Sequence, residues 1–416
     1  MATAPASKEL DPPTRSRATR LPSPALMLAQ EAATSILRVA SSVSLPDAMT
    51  LTSAPPTRRR RLSVLMTCTA LTLAACSDGG TGPDSRVVAG VDFDVLFAEP
   101  TTQEIAAVSD EWATRGHAAT DVSILVDSTV AIGSLDVRVR IVSHDVGGIT
   151  HYGAVLNDGA LAGPAPVLVY AHGGDEGVAV DGLLGLFPFL GDLAGGFVWV
   201  VPSFRSEDLS WGDETWTSDG PASPWDRDVD DALSLLDVAL DIESAADEGS
   251  VGVLGFSRGG GVALLMGIRD ARIDRIVEFF GPTDFFGPYV QDIVEEALIG
   301  SLRDLPGLVD LDQDYLQPMK NGALSIAQVR TELIRRSAVF YADRLPALQV
   351  HHGEADTTVE VSQAEALIAV MEDLGRGEPD FQAYLYPGGG HDPLSLPGSV
   401  DRAVSFLTPL LPAPGS

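Results

Sequence analysis

Cysteine is almost absent. Two residues in 416, Cys68 and Cys76, exclude a disulfide framework, a cysteine-rich zinc site and an iron–sulfur cluster. Cations are scarce as well: 27 Lys and Arg stand against 58 Asp and Glu, for a formal charge of −31. A surface that negative repels phosphate backbones and anionic headgroups, so nucleic acid is not an expected partner. The seven histidines lack the i, i+4 spacing of a zinc helix, and the chain has neither a phosphate loop nor a dinucleotide fingerprint. No metal and no cofactor is therefore expected. There is no internal repeat. What is plentiful is apolar residues, 45% of the chain, which exclude a disordered or collagen-like protein. The length suits two or three domains, or one large α/β domain with extensions.

The front of the chain reads as an address. Arg58 to Arg61 precede an apolar stretch, Leu62 to Ala75, which ends in Leu73-Ala74-Ala75-Cys76 and passes into Ser77-Asp78-Gly79-Gly80. A basic run, a short apolar segment and a small-residue cleavage site describe an export signal, too short to be the ~20-residue helix that spans a bilayer. A buried helix is the alternative. Leu-Ala-Ala-Cys also resembles the lipobox of bacterial lipoproteins. That resemblance implies a lipidated Cys76 at the mature N-terminus, an anchor and not a catalytic thiol, with Cys68 lost alongside the signal. Residues 1–75 hold nine basic and four acidic residues, so their removal takes the charge from −31 to −36. Residues 1–48 are rich in Pro, Ser, Ala and Arg and sit awkwardly before a signal; Met49 is the better start, and a translated leader is the alternative. Residues 76–85 read as a flexible tether.

Residues 86–163 read as a β-rich extension. A helix is expected from Glu104 to Ala119, and the strict alternation Leu135-Asp136-Val137-Arg138-Val139-Arg140-Ile141-Val142 marks a half-buried, antiparallel strand. After Pro164 the rhythm changes. Apolar strands at 167–170, 196–201, 251–254, 275–280, 347–350 and 381–386 alternate with amphipathic helices, among them 226–243 with its acids on the outer face and 260–268. The expected class is α/β, with a mostly parallel, doubly wound sheet over 164–410. Residues 285–340 contain no clear strand and read as a helical cap over the sheet's carboxyl edge.

Chemistry concentrates in two places. Gly255-Phe256-Ser257-Arg258-Gly259 sits between a strand and a helix, where a sharp turn would lift the Ser257 hydroxyl above the sheet and point a helix N-terminus at developing negative charge. A serine needs a base, and His391 lies in Gly388-Gly389-Gly390-His391-Asp392, directly after the last strand. The base needs a carboxylate to hold its tautomer. Asp356 follows the fifth strand of this region, with Glu354, Asp392 and Asp284 as competitors. The chain order Ser257, Asp356, His391 favours Asp356.

These residues resemble the α/β-hydrolase superfamily, and within it the branch of the dienelactone hydrolases and the catalytic domains of prolyl oligopeptidases. The matching motifs are Gly-Phe-Ser-Arg-Gly-Gly-Gly at 255–261, His-Gly-Glu-Ala-Asp-x-x-Val at 352–359, Gly-Gly-His at 389–391 and His-Gly-Gly at 172–174. The resemblance implies Ser257 as nucleophile, Asp356 as orienting acid and His391 as general base. It places the oxyanion donors on the backbone of Arg258 and of Gly174, with Gly173 and Asp175 close behind. His172 is read as structural. Asp175 and Glu176 depart from the proline common after this motif in peptidases. Trp211, Trp216 and Trp225 either wall a substrate pocket or pack a long loop, and Arg205 either binds a substrate carboxylate or pairs with Glu207 or Asp208. Residues 86–163 are too few for even two propeller blades of ~40–45 residues, so no propeller filters the substrate. The expected activity is that of an exported, lipid-anchored serine hydrolase cleaving a small or medium carboxylic ester through an acyl-enzyme. A serine exopeptidase of prolyl oligopeptidase type is the runner-up. A non-catalytic binding lipoprotein is the rival from another class.

Overall fold

Runs of Val, Ile and Leu with no polar interruption cannot face water on either side, and in the structure they do not. The computed structural model describes residues 85–161 and 163–412. Met49, the leader, Cys76 and all of the tether but Ser85 lie outside the described residues. Nine strands form one sheet: β1 (Ala119–Ile132), β2 (Leu135–Val146), β3 (Ile149–Asp158), β4 (Ala165–Ala171), β5 (Val198–Pro202), β6 (Ala246–Phe256), β7 (Ile273–Phe279), β8 (Ala347–Gly353) and β9 (Phe381–Tyr386). Their spatial order is β9-β8-β7-β6-β4-β5-β3-β2-β1. From β5 to β9 the pairings are parallel, and β1, β2 and β3 continue the same sheet antiparallel. A mostly parallel sheet with an antiparallel N-terminal end is what the strand compositions predicted.

Alternation along each strand feeds two apolar layers. In β4, Val167, Val169 and Ala171 enter one cluster and Leu168 the other; in β5, Val198 and Val200 oppose Trp199 and Val201. The first layer is closed by helices α1 (Thr102–Thr114), α2 (Arg227–Ile242), α3 (Arg258–Arg269), α4 (Pro288–Ile299), α5 (Ile326–Arg336) and α6 (Ser362–Asp373). The second is closed by α7 (Ser399–Leu407) and the turns around Phe187 and Leu193. Helices α4 and α5 with the short turns between them occupy the 285–340 segment.

Three expectations need correction. The helix expected to reach Ala119 stops at Thr114; Arg115 is already extended, Gly116 follows, and Ala119 starts β1. Thr101 and Glu104 set its start through a reciprocal capping box. In β2, Arg138 is half-buried but Arg140 is buried, because the end of α2 lies over it and supplies Glu243 and the Ile242 carbonyl. The acids of α2 are not all on its outer face either. Asp228, Asp230 and Asp231 are buried, each meeting an arginine from elsewhere: Arg258, Arg115 with Arg269, and Arg205 respectively. A buried negative charge is costly unless it is paired, and the partners here come from distant chain segments that no local pattern reveals.

β1 forms one outer edge of the sheet. Val122, Ile124 and Leu125 on it are exposed, and its pairing with β2 is broken twice, between Thr120 and Ser123 and between Ile124 and Val126.

Candidate active site

The site gathers where four parallel strands end, the usual place for a ligand in such a sheet. At the end of β6 the chain turns sharply into α3, and Ser257 at the junction has φ +53° and ψ −120°. A non-glycine residue there is strained by about 1–3 kcal/mol and persists only because the surroundings fix it. Its N–H donates to the Phe279 carbonyl of β7 (2.9 Å). The turn also needs Gly259: a Cβ there would fall 2.0 Å from the Ala171 carbonyl oxygen and 2.5 Å from that of His172. Only a residue without a side chain lets β4 and its following loop cross so close to the elbow.

His391 arrives on the loop after β9. That loop locks onto the loop after β8, the Gly389 carbonyl accepting from the Ala355 N–H (2.8 Å). A Cβ at Gly353 would lie 2.3 Å from the same carbonyl oxygen, so glycine is required where the two loops cross. The imidazole then bridges. Its Nε2 is 2.9 Å from Ser257 Oγ and its Nδ1 is 2.7 Å from Asp356 Oδ2. The other carboxylate oxygen of Asp356 accepts from the Thr358 and Val359 N–H groups (2.9 and 3.1 Å). Burial pushes the Asp356 carboxyl up, but the His391 hydrogen bond and charge and the two backbone donors outweigh it, holding it below the usual carboxylate range. Phe280, itself at φ +43°, lies against the His391 ring with centroids 4.2 Å apart.

The competing carboxylates do not reach His391 in this structure. Asp284 accepts from the Phe286 N–H (2.8 Å), Asp392 caps the turn at Leu394 (2.9 Å), and Glu354 is exposed. The Arg258 amide occupies the first position of α3, where the helix offers it no acceptor. The 172–174 loop abuts the elbow: a Cβ at Gly173 would stand 3.1 Å from that of Ser257, and Gly174 turns the chain with φ +79°. His172 is buried and stacked on Phe204 (4.4 Å), and burial brings its pKa down to about 4.

The tryptophans do not act together. Trp225, with φ +58°, lines a cavity at Ser257, whereas Trp211 and Trp216 sit on the hairpin Asp208–Trp211/Glu214–Thr217 and pack against the second apolar layer. Arg205 is not free for a substrate and pairs with neither Glu207 nor Asp208; Asp231 takes its Nε (3.0 Å), Nη2 and backbone N–H (3.1 Å).

The side chain of Arg258 went unnoticed in the sequence. It is 1% exposed and holds Asp228 through two bonds (2.8 and 2.9 Å), with Glu207 on the remaining nitrogen, which also reaches the Gly174 carbonyl (3.4 Å). Burial, with Asp228 and Asp175 nearby, pushes Glu207 up to about 8 despite Arg258. Beneath α3, Glu278 of β7 is fully buried and its Oε2 accepts only from the Gly281 N–H (2.9 Å). Burial raises its pKa to about 8, against the opposing Gly281 bond. Its folded-state pKa exceeds the unfolded one, so its contribution is complete below about pH 4.5 and fades as pH rises through 8. Glu278→Gln should therefore leave stability unchanged near pH 5 and raise it by a few kcal/mol near pH 8.5. Melting curves at the two pH values check this; an equal shift at both would contradict it.

Among the described residues no group of His, Cys, Asp and Glu could hold a metal, and no helix is long and apolar enough to cross a membrane. No protein-family model matches the chain, and no curated protein does. Solved structures do match. Acetyl xylan esterase 1 from Thermoanaerobacterium sp. JW/SL YS485 superposes with a TM-score of 0.54 at 18% identity, over 76% of this chain and 97% of that one. The acetyl xylan esterase from Paenibacillus sp. R4 gives 0.52 at 17% identity, over 76% and 98%. Likeness at that identity speaks for architecture, and the architecture is the α/β-hydrolase fold.

Proposed function

We propose that the protein is a serine hydrolase that cleaves a carboxylic ester through an acyl-enzyme, exported and anchored through a lipid on Cys76. The observation that carries the chemistry is the imidazole of His391 within hydrogen-bond reach of Ser257 on one side and Asp356 on the other. Ser257 Oγ attacks the carbonyl carbon as Nε2 takes its proton, and Asp356 steadies the imidazolium. The oxyanion is received by the Arg258 N–H and a second amide on the adjoining loop, Gly174 first and Gly173 next. When the carbon–oxygen bond breaks, His391 returns the proton to the departing alkoxide, and water activated by the same base releases the acid. No cofactor or metal enters these steps. Export and anchoring rest on the basic run, the apolar stretch and Leu-Ala-Ala-Cys alone.

One experiment tests both parts. Bacteria producing the full chain are treated with a fluorophosphonate probe and fractionated. The label should map to Ser257 and follow the membranes, moving to the soluble fraction in Cys76→Ser. An unlabelled Ser257 would leave a non-catalytic binding protein; label that stays with the membranes in Cys76→Ser would remove the anchor. A 4-nitrophenyl ester and an aminoacyl amide compared on enzyme not treated with the probe divide esterase from exopeptidase.

A further inference from the structure

The cavity opening at Ser257 indicates what the ester carries, and this rests on the hydrolase reading above. Its walls come from the 285–340 segment and its neighbours, notably Phe285, Val290, Val294, Leu308, Leu311 and Leu333, together with Trp225. Two of the polar groups in the wall are engaged within the protein, and the buried Trp225 indole N–H has no partner. Glu332 is taken by Arg335 and by Arg336 (2.8 Å), and the Tyr289 hydroxyl donates to the Thr358 carbonyl. The Trp225 indole N–H faces α3, since a Cβ at Gly261 would lie 3.1 Å from it. The rest of the wall is almost wholly apolar, so a hydroxyl, an amine or a second carboxylate would meet few partners there, and burying such a group unpaired is unfavourable. The acids beside the nucleophile, Asp175, Glu176 and Glu354, are exposed and add repulsion against an anionic substrate.

Which half of the ester enters follows from His391. The base must hand its proton to the leaving oxygen, so the alcohol lies beside the imidazole. His391 is not among the residues lining the cavity, whereas Ser257 and Arg258 are. We infer that the cavity is an acyl pocket for an uncharged, apolar chain of about six to eight carbons. The size comes from the space inside: about 70 Å³ is open to the centre of a water-sized molecule. At roughly 10–15 Å³ per water-sized unit, that is about five to seven heavy atoms beyond the carbonyl. An acetyl group would leave most of the pocket unfilled.

The test uses two series of esters. In the first, 4-nitrophenyl esters run from acetate to laurate; in the second, acetates of alcohols run from methanol to octanol. Each buried methylene should raise kcat/KM about fourfold, so hexanoate should exceed acetate by on the order of 10²-fold, with a fall beyond octanoate. The alcohol series should vary several-fold at most. Val294→Trp, which fills the pocket from α4, should lower the hexanoate-to-acetate ratio at least tenfold. If acetate and hexanoate are hydrolysed alike by a protein whose Ser257 takes up the fluorophosphonate, the acyl-pocket inference fails and the hydrolase stands. A response confined to the alcohol series would overturn it too. If neither label nor turnover is found, both readings fall together.

Discussion

Asp356→Asn should lower kcat about 10⁴-fold while leaving KM and the melting temperature almost unchanged. The hydrogen bonds around this carboxyl dictate the result. One of its oxygens accepts from the Thr358 and Val359 N–H groups, so an asparagine must keep its carbonyl oxygen there. The amide NH₂ is then forced toward His391 Nδ1, where the carboxylate now accepts. Two donors cannot face each other, so the imidazole moves its proton to Nε2 and presents N–H to Ser257 in place of a lone pair. The nucleophile loses its base although every atom stays near its original position. Turnover of the preferred ester, measured with circular dichroism as a folding control, checks this. A drop below tenfold would mean that Asp356 does not set the tautomer.

The second large effect concerns stability. Arg258→Met should destabilise the fold by about 3–5 kcal/mol, because it leaves Asp228 as a buried charge without its cation and removes the partner of Glu207. In a domain of this size that lowers the melting temperature by roughly 5 °C. Arg258→Lys should lose most of this as well, since an ammonium cannot hold Asp228 by two parallel bonds and still reach Glu207. Adding Asp228→Asn and Glu207→Gln to Arg258→Met should restore much of the loss, the residues being strongly coupled. Denaturant midpoints for these proteins and for Asp228→Asn with Glu207→Gln alone decide it; additive effects would mean the cluster does not act as a unit.

The parts of this molecule visible in the sequence are those set by local rules. A strand apolar on both faces is recognisable without its neighbours, and so is a serine between glycines at a strand–helix junction, or a histidine in a glycine-rich loop after the last strand. The chain order then sets Asp392 aside, while Asp284 and Glu354 fit it as well as Asp356 does, and the hydrogen bond to His391 falls to Asp356. What could not be read depends on segments meeting. The acids at 228, 230 and 231 look solvent-facing until Arg258, Arg269, Arg115 and Arg205 arrive from other elements. Three tryptophans near one another in the chain read equally as one pocket wall or as loop packing; a hairpin turns Trp211 and Trp216 into the layer opposite Trp225. Strain is legible only in part: the sharp turn at Ser257 follows from its strand–helix setting, but nothing in the letters announces that Trp225 and Phe280 also adopt positive φ at the site.

The outer strand Ala119–Ile132 has a bearing on how this protein tolerates being concentrated. A straight border with exposed Val122, Ile124 and Leu125 would invite a second molecule to zip alongside. The two interruptions in its ladder bend that border within a few residues of those side chains, so no long flat stretch is left for an intruder to extend. Mutual repulsion between like-charged molecules does the rest, so a high concentration need not end in fibres.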